Sequence, residues 1–384
     1  MSSKKVMVVF GTRPEAIKMA PVATALRNRA DINVQIVVTA QHRELLDQVL
    51  HVFGVTPTDD LDLMEPDQSL PGLFSRILLA VTGSIERLKP DMVLVHGDTT
   101  TTLAVALAAF YLRVPIGHVE AGLRTGNLAA PWPEEANRRL TAPLAQLHFA
   151  PTAQARRNLL SENVAADTIH VTGNTVVDAL LSAIDRVEQD ATLRKAVESQ
   201  LPAIRPDKKL VLVTGHRREN IGERLEDVCR ALLEISSHPD VEVIYPVHPN
   251  PAVGTTVKRV LEGKPKIHLI PPLDYLPFIW LMRRADVILT DSGGIQEEAP
   301  ALNKPVLVLR DTTERPEAIQ SGTAKLVGTD REKIVEWTHA LLFNEQQRRT
   351  FVSAINPFGD GKAAERIASL IEHWLNSNPS ASLK

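Results

Sequence analysis

Short apolar runs rich in valine and isoleucine recur along the chain, and longer segments of helical pattern separate them. Strands of this kind, apolar on both faces and alternating with helices, are typical of parallel sheets that helices cover on both sides. We therefore expect an α/β protein with two Rossmann-like halves of six strands each. The predicted strands are residues 5–10, 34–39, 92–95, 116–120, 147–150 and 169–172, then 210–214, 241–247, 267–270, 287–290, 306–309 and 324–327.

The length of the chain and one break in this pattern indicate two domains. A chain of 384 residues exceeds what a single hydrophobic core usually serves, and 44% apolar residues are enough to fill two cores. The stretch "VTGNTVVDALL" leaves the sixth strand and enters a long charged helix, so the boundary is placed there. We expect a first domain at 1–172, a second at 173–361, a last helix at 362–376 that can pack on either half, and a disordered tail at 377–384.

Charge and hydropathy argue against several classes of protein. The formal net charge is 43 − 46 = −3 and no basic run stands out, so nucleic acid is not an expected partner. The longest apolar stretch, residues 103–112, is about half of a bilayer span, so no membrane insertion is expected. The first apolar run is too short for a secretory signal, and Cys229, the single cysteine, can form no internal disulfide and no cysteine-built zinc site. Cytoplasmic residence fits these features.

Ligands of open parallel sheets bind at the carboxyl ends of the strands, so with two sheets we expect a site in the cleft between them. The first strand ends in "FGTRPEAIKMAP", where Thr12 can cap a helix that Pro14 helps to start. Arg13 precedes a proline and is expected to project from the loop, with Lys18 one turn on. These two cations form either an anion clamp or an ordinary capped helix start with a solvated arginine.

A second anion site is predicted at "DSGGIQEEAP", which follows the strand at 287–290. Adjacent glycines between a strand and a helix let backbone N–H groups approach a phosphate, and the helix dipole favours its charge. Ser292, Gly293 and Gly294 are therefore the predicted phosphate cradle, and Glu298 can accept hydrogen bonds from ribose hydroxyls. The Walker pattern and the G-x-G-x-x-G fingerprint are both absent, which disfavours ATP-type and NAD-type binding.

Further polar residues follow other strands of the two halves. In the second half they are mostly cationic, namely His216, Arg217, Arg218, His248, Arg310 and Arg315, with Glu314 among them. In the first half they are carboxylates, Asp98, Glu120 and Glu134. Each has a structural alternative: Asp98 can cap a helix, Glu120 can pair with Arg124, and Glu134 can complement a helix amino terminus. As a set, three carboxylates suit acid–base chemistry on both faces of one carbon.

The motifs as a group resemble the non-hydrolysing UDP-N-acetylglucosamine 2-epimerases. The resemblance runs in order from residue 5 to about residue 375. It rests on "GTRPEAIKMAP", "TAQHRELLDQVL", "HGDTTTT", "HVEAGLRT", "PWPEEANRRL", "HFAPT", "TGNTVVDAL", "GHRREN", "DSGGIQEEAP", "RDTTERPEA" and "NPFGDGKAAERI".

The resemblance implies two Rossmann domains of the GT-B glycosyltransferase type, with the last helix crossing back to the first domain. It implies interconversion of UDP-N-acetylglucosamine and UDP-N-acetylmannosamine for bacterial surface polysaccharides, without a metal or nicotinamide cofactor. The family eliminates UDP to give a 2-acetamidoglucal and then adds UDP back with C2 inverted. A homodimer is also implied.

Site residues are transferred from the family motif by motif. The acid–base carboxylates fall on Asp98, Glu120 and Glu134 and the essential histidine on His216. One position departs from the family, since Leu273 stands where close relatives have glutamine. The family's UDP-binding positions fall on Arg13, Lys18, Phe278, Ser292, Gly293, Gly294, Glu298 and Arg315, and its second, activating substrate site would form at Gln41, Arg43 and Glu44.

Three other functions share parts of this pattern. A UDP-sugar glycosyltransferase would use the same phosphate cradle but needs an acceptor and no set of three carboxylates. A hydrolysing epimerase would release free N-acetylmannosamine and UDP. A sugar-nucleotide sensor would keep the binding half without the acid–base set, so the presence of that set argues against it.

Overall fold

A computed structural model describes residues 3–39, 43–65, 68–215, 217 and 220–378, with the backbone alone at 43–45. Its internal contacts divide the chain into two compact units. Unit 1 comprises Met1–Ala179 with Phe358–Lys384, and unit 2 comprises Leu180–Pro357. Residues 173–179, which we expected in the second domain, thus belong to unit 1 by their contacts.

Unit 1 contains a parallel seven-stranded sheet in the order β3-β2-β1-β4-β5-β6-β7. The six strands predicted for this half are confirmed. The additional edge strand β3 pairs with Val37 and Val38. It consists of two aspartates and has no apolar pattern from which it could be predicted. The strands are β1 (Lys4–Phe10), β2 (Ile32–Val38), β3 (Asp59–Asp60), β4 (Met92–His96), β5 (Ile116–Val119), β6 (Leu147–Ala150) and β7 (Ile169–Val171).

Helices cover both faces of this sheet, and their buried faces supply its core. Ile77 and Val81 of the third helix and Val105 of the fourth pack with Val93 of β4, all almost fully buried. The helices are α1 (Arg13–Arg27), α2 (Arg43–Phe53), α3 (Leu70–Leu88), α4 (Thr100–Tyr111), α5 (Glu134–Thr141), α6 (Ala153–Ser161) and α7 (Thr175–Gln189), the last of which runs on into unit 2.

Unit 2 contains a parallel six-stranded sheet in the order β10-β9-β8-β11-β12-β13, which confirms the six strands predicted for this half. The two Rossmann-like halves are therefore confirmed. The strands are β8 (Lys209–Thr214), β9 (Val241–Pro246), β10 (Ile267–Ile270), β11 (Val287–Thr290), β12 (Val306–Val308) and β13 (Ala324–Leu326). The helices are α8 (Ala191–Glu198), α9 (Glu223–Ser237), α10 (Pro251–Leu261), α11 (Tyr275–Arg284), α12 (Gly293–Ala301), α13 (Pro316–Gln320), α14 (Arg331–Phe343) and α15 (Glu345–Val352).

Each sheet has a point where the strand order reverses. In unit 1 it lies between β1 and β4, and in unit 2 between β8 and β11. Loops that leave the carboxyl ends of neighbouring strands on either side of such a point diverge to opposite faces and leave a crevice for ligands. The residues after β1, β4 and β5, and those after β8, β11 and β12, are therefore the ones to follow.

The last helix, α16 (Ala363–Ser377), packs on α1 within unit 1. Arg29 forms an ion pair with Glu365, and the Asp178 carboxylate accepts hydrogen bonds from the N–H groups of Ala363 and Ala364 at 3.2 and 2.8 Å. The carboxylate thus satisfies unpaired donors at the start of α16. Of the tail expected to be disordered, residues 379–384 lie outside the described residues. No helix within the described ranges is long and apolar enough to cross a membrane.

Candidate functional site

The buried carboxylate of Glu15 holds the loop between β1 and α1. Thr12 caps α1 as predicted, and Glu15 completes a capping box. Oε2 of Glu15 accepts hydrogen bonds from the N–H groups of Gly11 and Thr12 at 3.0 and 2.8 Å, and Oε1 accepts one from the Thr99 hydroxyl at 2.7 Å. One side chain therefore links the loops that follow β1 and β4. The spacing of Thr12 and Glu15 is the sequence signal that our prediction did not use.

Glu15→Gln is expected to destabilise the protein by about 1–3 kcal/mol, because an amide NH2 group would face N–H and O–H donors in a buried place. Burial raises the pKa of Glu15, but hydrogen bonds from Thr99 and Thr12 oppose that rise. The free energy of unfolding in urea measures the loss. Glu198→Gln, at an exposed position on α8, is the control and should change stability by less than about 0.5 kcal/mol. An equal effect of the two substitutions would show that the Glu15 hydrogen bonds stabilise nothing.

Arg13 differs from its predicted setting. It is the first residue of α1 and half-buried, whereas we expected it in the preceding loop. The reason is that N–H groups in the first helical turn have no intrahelical partner, so Pro14 fits there, and the Thr12 cap holds the residues before it.

Asp98 lies two residues after the end of β4, and residues of α5 contact it. Arg138 contacts its carboxylate, with Nη2 2.5 Å from Oδ2, and the Asn137 amide donates to its backbone oxygen at 2.9 Å. Burial raises the pKa of Asp98 above its usual value; Arg138 and Lys18 oppose this rise and Glu120 adds to it. The cap of α4 is Thr99, not Asp98, so the structural alternative for Asp98 is wrong. The carboxylate of Asp98 instead contacts Arg138, and the charge of Glu120 influences its pKa.

Glu120 comes directly after β5 and has an unusual backbone conformation. Its φ is 60°, in the left-handed region that residues other than glycine and asparagine rarely adopt. Lys18 of α1 forms an ion pair with its Oε2, the Asn174 amide donates to the same oxygen at 2.7 Å, and Nε2 of His96 lies 3.8 Å from it. The alternative of a pair with Arg124 is wrong, because Arg124 contacts Glu162 instead, at 2.9 and 2.7 Å.

Glu134 is the first residue of α5 and is half-buried. It lies one helical turn before Arg138, so the two side chains share a face of α5. The adjacent Glu135 has a different role, since it is fully buried and accepts hydrogen bonds from the N–H groups of Thr125 and Gly126 at 3.1 and 3.2 Å. It also contacts Arg138 at 3.2 Å, so Glu135 orients the arginine that contacts Asp98. Sequence reasoning named neither Glu135 nor Arg138 as one of these contacts.

Unit 1 therefore gathers two carboxylates, each beside a cation, at the carboxyl edge of its sheet. Asp98 is paired with Arg138 and Glu120 with Lys18. Glu120 and Asp98 are both at least partly buried, and their charges influence each other, so a proton added to one favours ionisation of the other. Such a pair can take a proton from a bound molecule and return one to it.

Two buried histidines support this edge. His118 donates from Nε2 to the backbone oxygen of Gly97 at 2.7 Å, and this bond holds the residue just before Asp98. Burial lowers the pKa of His118 to about 3 and that of His96 to about 4. Both rings are therefore neutral near pH 7. Neither nitrogen of His96 has a hydrogen-bond partner among the residues that the structure describes.

Acidification is expected to destabilise the protein through His118. Its pKa is about 3 in the folded state and about 6.5 in the unfolded state, so below pH 6.5 only the unfolded chain takes up the proton. Stability is thus present above pH 6.5 and is lost as the pH falls. His118→Gln keeps a donor towards Gly97 and cannot titrate, so its loss of stability from pH 7 to pH 5 should be smaller by about 2 kcal/mol. Urea unfolding at the two pH values measures this; equal losses in both proteins would contradict it.

In unit 2 the amino terminus of α12 lies at the predicted phosphate cradle. Ser292 is the cap residue, Gly293 is buried and Gly294 is exposed. Neither glycine has a left-handed φ, and a Cβ atom would meet nothing nearer than 3.7 Å at Gly293 or 3.9 Å at Gly294. The fold of unit 2 therefore does not require glycine at either position. Close approach of a ligand to the N–H groups explains the pair better.

Three arginines influence the carboxylate of Glu314, which lies close to Gly293 at the start of α12. Oε1 of Glu314 lies 3.5 Å from Nη1 of Arg217 and 3.3 Å from Nη1 of Arg310. Although partial burial opposes it, Arg217, Arg310 and Arg315 hold the pKa of Glu314 below its usual value. An ionised carboxylate is thus stabilised beside Gly293, which indicates that this corner of unit 2 favours anions.

The other predicted residues of unit 2 have distinct settings. Arg315 lies just before the first turn of α13, as expected for a residue that precedes a proline. It forms an ion pair with the buried Glu297. Glu298 is half-buried on α12, and Phe278 is half-buried on α11. His216 and Arg218 lie outside the described residues, as does Gln41, while Arg43 and Glu44 start α2 with only their backbone described. Within the described ranges no group of three or more His, Cys, Asp or Glu side chains is arranged to hold a metal ion.

Comparison with known proteins agrees with the resemblance seen in the motifs. A family model described as UDP-N-acetylglucosamine 2-epimerase matches residues 24–372. The UDP-N-acetylglucosamine 2-epimerase of Escherichia coli O157:H7 is 56% identical over 370 residues, which are 96% of this chain and 98% of that protein. The probable UDP-N-acetylglucosamine 2-epimerase of Ralstonia solanacearum is 56% identical over 372 residues, 97% of this chain and 99% of its own. The crystal structure of the Neisseria meningitidis UDP-GlcNAc 2-epimerase bound to UDP-GlcNAc is 49% identical and superposes with a TM-score of 0.87 over 96% of this chain and 100% of that one. The chain therefore belongs to the UDP-N-acetylglucosamine 2-epimerase family.

Proposed function

We propose that this protein interconverts UDP-N-acetylglucosamine and UDP-N-acetylmannosamine as a non-hydrolysing 2-epimerase. The observation that carries the proposal is the pair of partly buried carboxylates Asp98 and Glu120, each beside a cation, in a chain of this family. Inversion at C2 needs one group that removes a proton from one face and another that delivers a proton to the opposite face. Asp98, Glu120 and Glu134 are the proposed acid–base groups, together with His216.

The proposed reaction begins with elimination. A carboxylate takes the C2 proton, the electrons of that C–H bond form the C1–C2 double bond, and the C1–O bond breaks with its electrons going to UDP. The products of this half are 2-acetamidoglucal and UDP. In the second half the UDP oxygen returns to C1 and a proton is added to C2 from the other face, which restores all atoms and inverts C2. A C2 proton is weakly acidic, so a positioned carboxylate and a good leaving group are both needed.

Unit 2 is proposed to bind UDP. Its arginines and the start of α12 would stabilise negative charge on the departing diphosphate. The stabilised Glu314 carboxylate beside Gly293 supports an anion preference there. The proposed UDP-binding residues of unit 2 are Phe278, Ser292, Gly293, Gly294, Glu298 and Arg315, and the family resemblance adds Arg13 and Lys18 of unit 1.

Product analysis separates this reaction from its rivals. With UDP-N-acetylglucosamine as the only substrate, we expect UDP-N-acetylmannosamine at equilibrium with it. Free N-acetylmannosamine and UDP in equal amounts would instead identify a hydrolysing enzyme. An unchanged substrate would overturn the proposal and leave a glycosyltransferase that lacks its acceptor, or a sensor. Separation of the sugar nucleotides by ion-exchange chromatography distinguishes these outcomes.

We also propose that the protein forms a homodimer and that it supplies surface polysaccharide synthesis. Substrate is proposed to activate it by binding at Gln41, Arg43 and Glu44. Helices α3 and α4 pack on each other, and each has a large exposed apolar side chain that a second copy of the chain could cover, Leu79 at 73% and Tyr111 at 67%. Light scattering should give twice the chain mass of 42.2 kDa. A mass of one chain at micromolar concentration would contradict the dimer.

A further inference from the structure

The side chain of Asn174 is buried and both of its polar atoms are engaged. Nδ2 donates to Oε2 of Glu120 at 2.7 Å, and Oδ1 accepts from the N–H of Val176 at 3.1 Å in the first turn of α7. The residue is 2% exposed. The opposite amide orientation would place Oδ1 against a carboxylate oxygen and NH2 against an N–H donor, so the surroundings permit one orientation.

The backbone of Asn174 is fixed independently of its side chain. Its N–H donates to the carbonyl of Phe358 at 2.6 Å, where the chain returns from unit 2 to unit 1. The preceding Gly173 has a φ of 91°, and a Cβ atom there would lie 3.3 Å from the Cα of Gly359. Glycine is therefore required at residue 173 so that the two segments can run side by side. Asn174 thus projects from a rigid junction of 173–178 with 358–364.

Lys18 and His96 also lie at the Glu120 carboxylate, with Nε2 of His96 3.8 Å from Oε2. The backbone of Glu120 is in the left-handed region, and the second donor to Oε2 is Lys18, a long side chain with four rotatable bonds. The short amide of Asn174 cannot turn away without losing the Val176 bond.

We propose that Asn174 is a positioning residue that holds the Glu120 carboxylate in line for proton transfer. This inference rests on the proposed function, because it assigns Glu120 to the acid–base set. Asn174 itself touches no reacting atom. A hydrogen bond from an amide N–H is stronger to a carboxylate than to a protonated carboxyl group, so Asn174 also favours the charged form of Glu120.

Asn174→Asp tests this role with little change in shape. Aspartate keeps an oxygen for the Val176 N–H but replaces the donor towards Glu120 by a second carboxylate. We expect kcat to fall by about 100-fold, KM to change by less than about 3-fold, and the acid limb of the pH–kcat profile to move up by at least about one unit, since a like charge raises a carboxyl pKa. Asn344→Asp is the matched control, because Asn344 caps α15 through the same kind of side-chain oxygen and is not one of the proposed site residues. It should leave kcat and the profile unchanged.

A role limited to capping α7 predicts a different result. In that case Asn174→Asp would keep the wild-type kcat and profile, and this outcome would overturn the inference. If Asn174→Asp does not fold, Asn174→Ser retains a cap for Val176 without reaching Glu120, and kcat should still fall by about 10-fold with KM unchanged. Wild-type kcat in Asn174→Ser would likewise overturn the inference.

A titration separates this inference from the proposed function. The carboxyl carbon of Glu120 can be followed by NMR in protein with 13C-labelled glutamate and assigned with Glu120→Gln. A rise of about one unit in its pKa in Asn174→Asp supports the positioning role even if wild-type protein shows no epimerase activity, which would overturn only the function. An unshifted titration would overturn the positioning role even in an active epimerase.

Discussion

Asp98→Asn is expected to bind UDP as tightly as the wild-type protein and to lose at least about 100-fold in turnover. Asparagine has the shape of aspartate and can still contact Arg138, so the fold should be kept. It has no charge and cannot take or give a proton. UDP affinity should persist because the proposed UDP-binding residues do not include Asp98. Isothermal titration with UDP and initial rates of epimerisation measure the two quantities.

The control for Asp98→Asn is Asp190→Asn, which leaves the cap of α8 in place because asparagine caps as well as aspartate does. Turnover of the control should equal that of the wild type. Thr99→Ala separates capping from chemistry: it should cost about 1 kcal/mol of stability, because Thr99 is the residue that caps α4. Full turnover in Asp98→Asn would remove Asp98 from the acid–base set.

Gly293→Val is expected to weaken UDP binding by at least about 100-fold without lowering the melting temperature. The side chain would stand at the start of α12, where N–H groups are proposed to meet the diphosphate. Beyond the adjoining residues and the backbone of α12, the nearest described atom to a Cβ at this position is Oε2 of Glu314 at 3.7 Å, so the fold has room for a Cβ there. Replacing glycine also removes backbone freedom from the unfolded chain, which favours the folded state. UDP titration and thermal unfolding together test both halves of this expectation.

Gly83→Val is the matched control, because Gly83 lies within α3 and a Cβ atom there meets nothing within 4 Å. UDP affinity should be unchanged in this protein. If Gly293→Val bound UDP normally, the diphosphate would have to lie away from the start of α12. If Gly293→Val lost both its affinity and its melting temperature, a packing role for Gly293 would be indicated instead.

The strands were predictable because buried parallel strands carry an apolar pattern that needs no knowledge of partners. Twelve predicted strands are confirmed, and the missed one, β3, is two aspartates at a sheet edge. Residues at strand ends were predictable for the same reason, since topology alone brings them to one edge. Arg13 was misplaced because the rule for residues before proline competes with the capping box, and the cap prevailed.

Pairings between distant residues were not predictable from the chain. Lys18 and Glu120 are 102 positions apart, and the sequence around either residue does not indicate that the two form an ion pair. The adjacent glutamates of α12 show the same limit: Glu297 faces the interior and pairs with Arg315, while Glu298 is half-buried. Removing Arg315 would take a cation from the buried Glu297 carboxylate, so part of any effect of that change belongs to the fold rather than to UDP.

Exchange of the C2 proton with solvent tests the central claim most directly. The wild-type protein is incubated with UDP-N-acetylglucosamine in D2O, and the C1 and C2 protons are followed by NMR. Deprotonation by a carboxylate that exchanges with solvent predicts that UDP-N-acetylmannosamine appears with deuterium at C2 and that the substrate pool gains deuterium at the same carbon. A substrate whose C2 proton remains, with no second sugar nucleotide, would contradict the account.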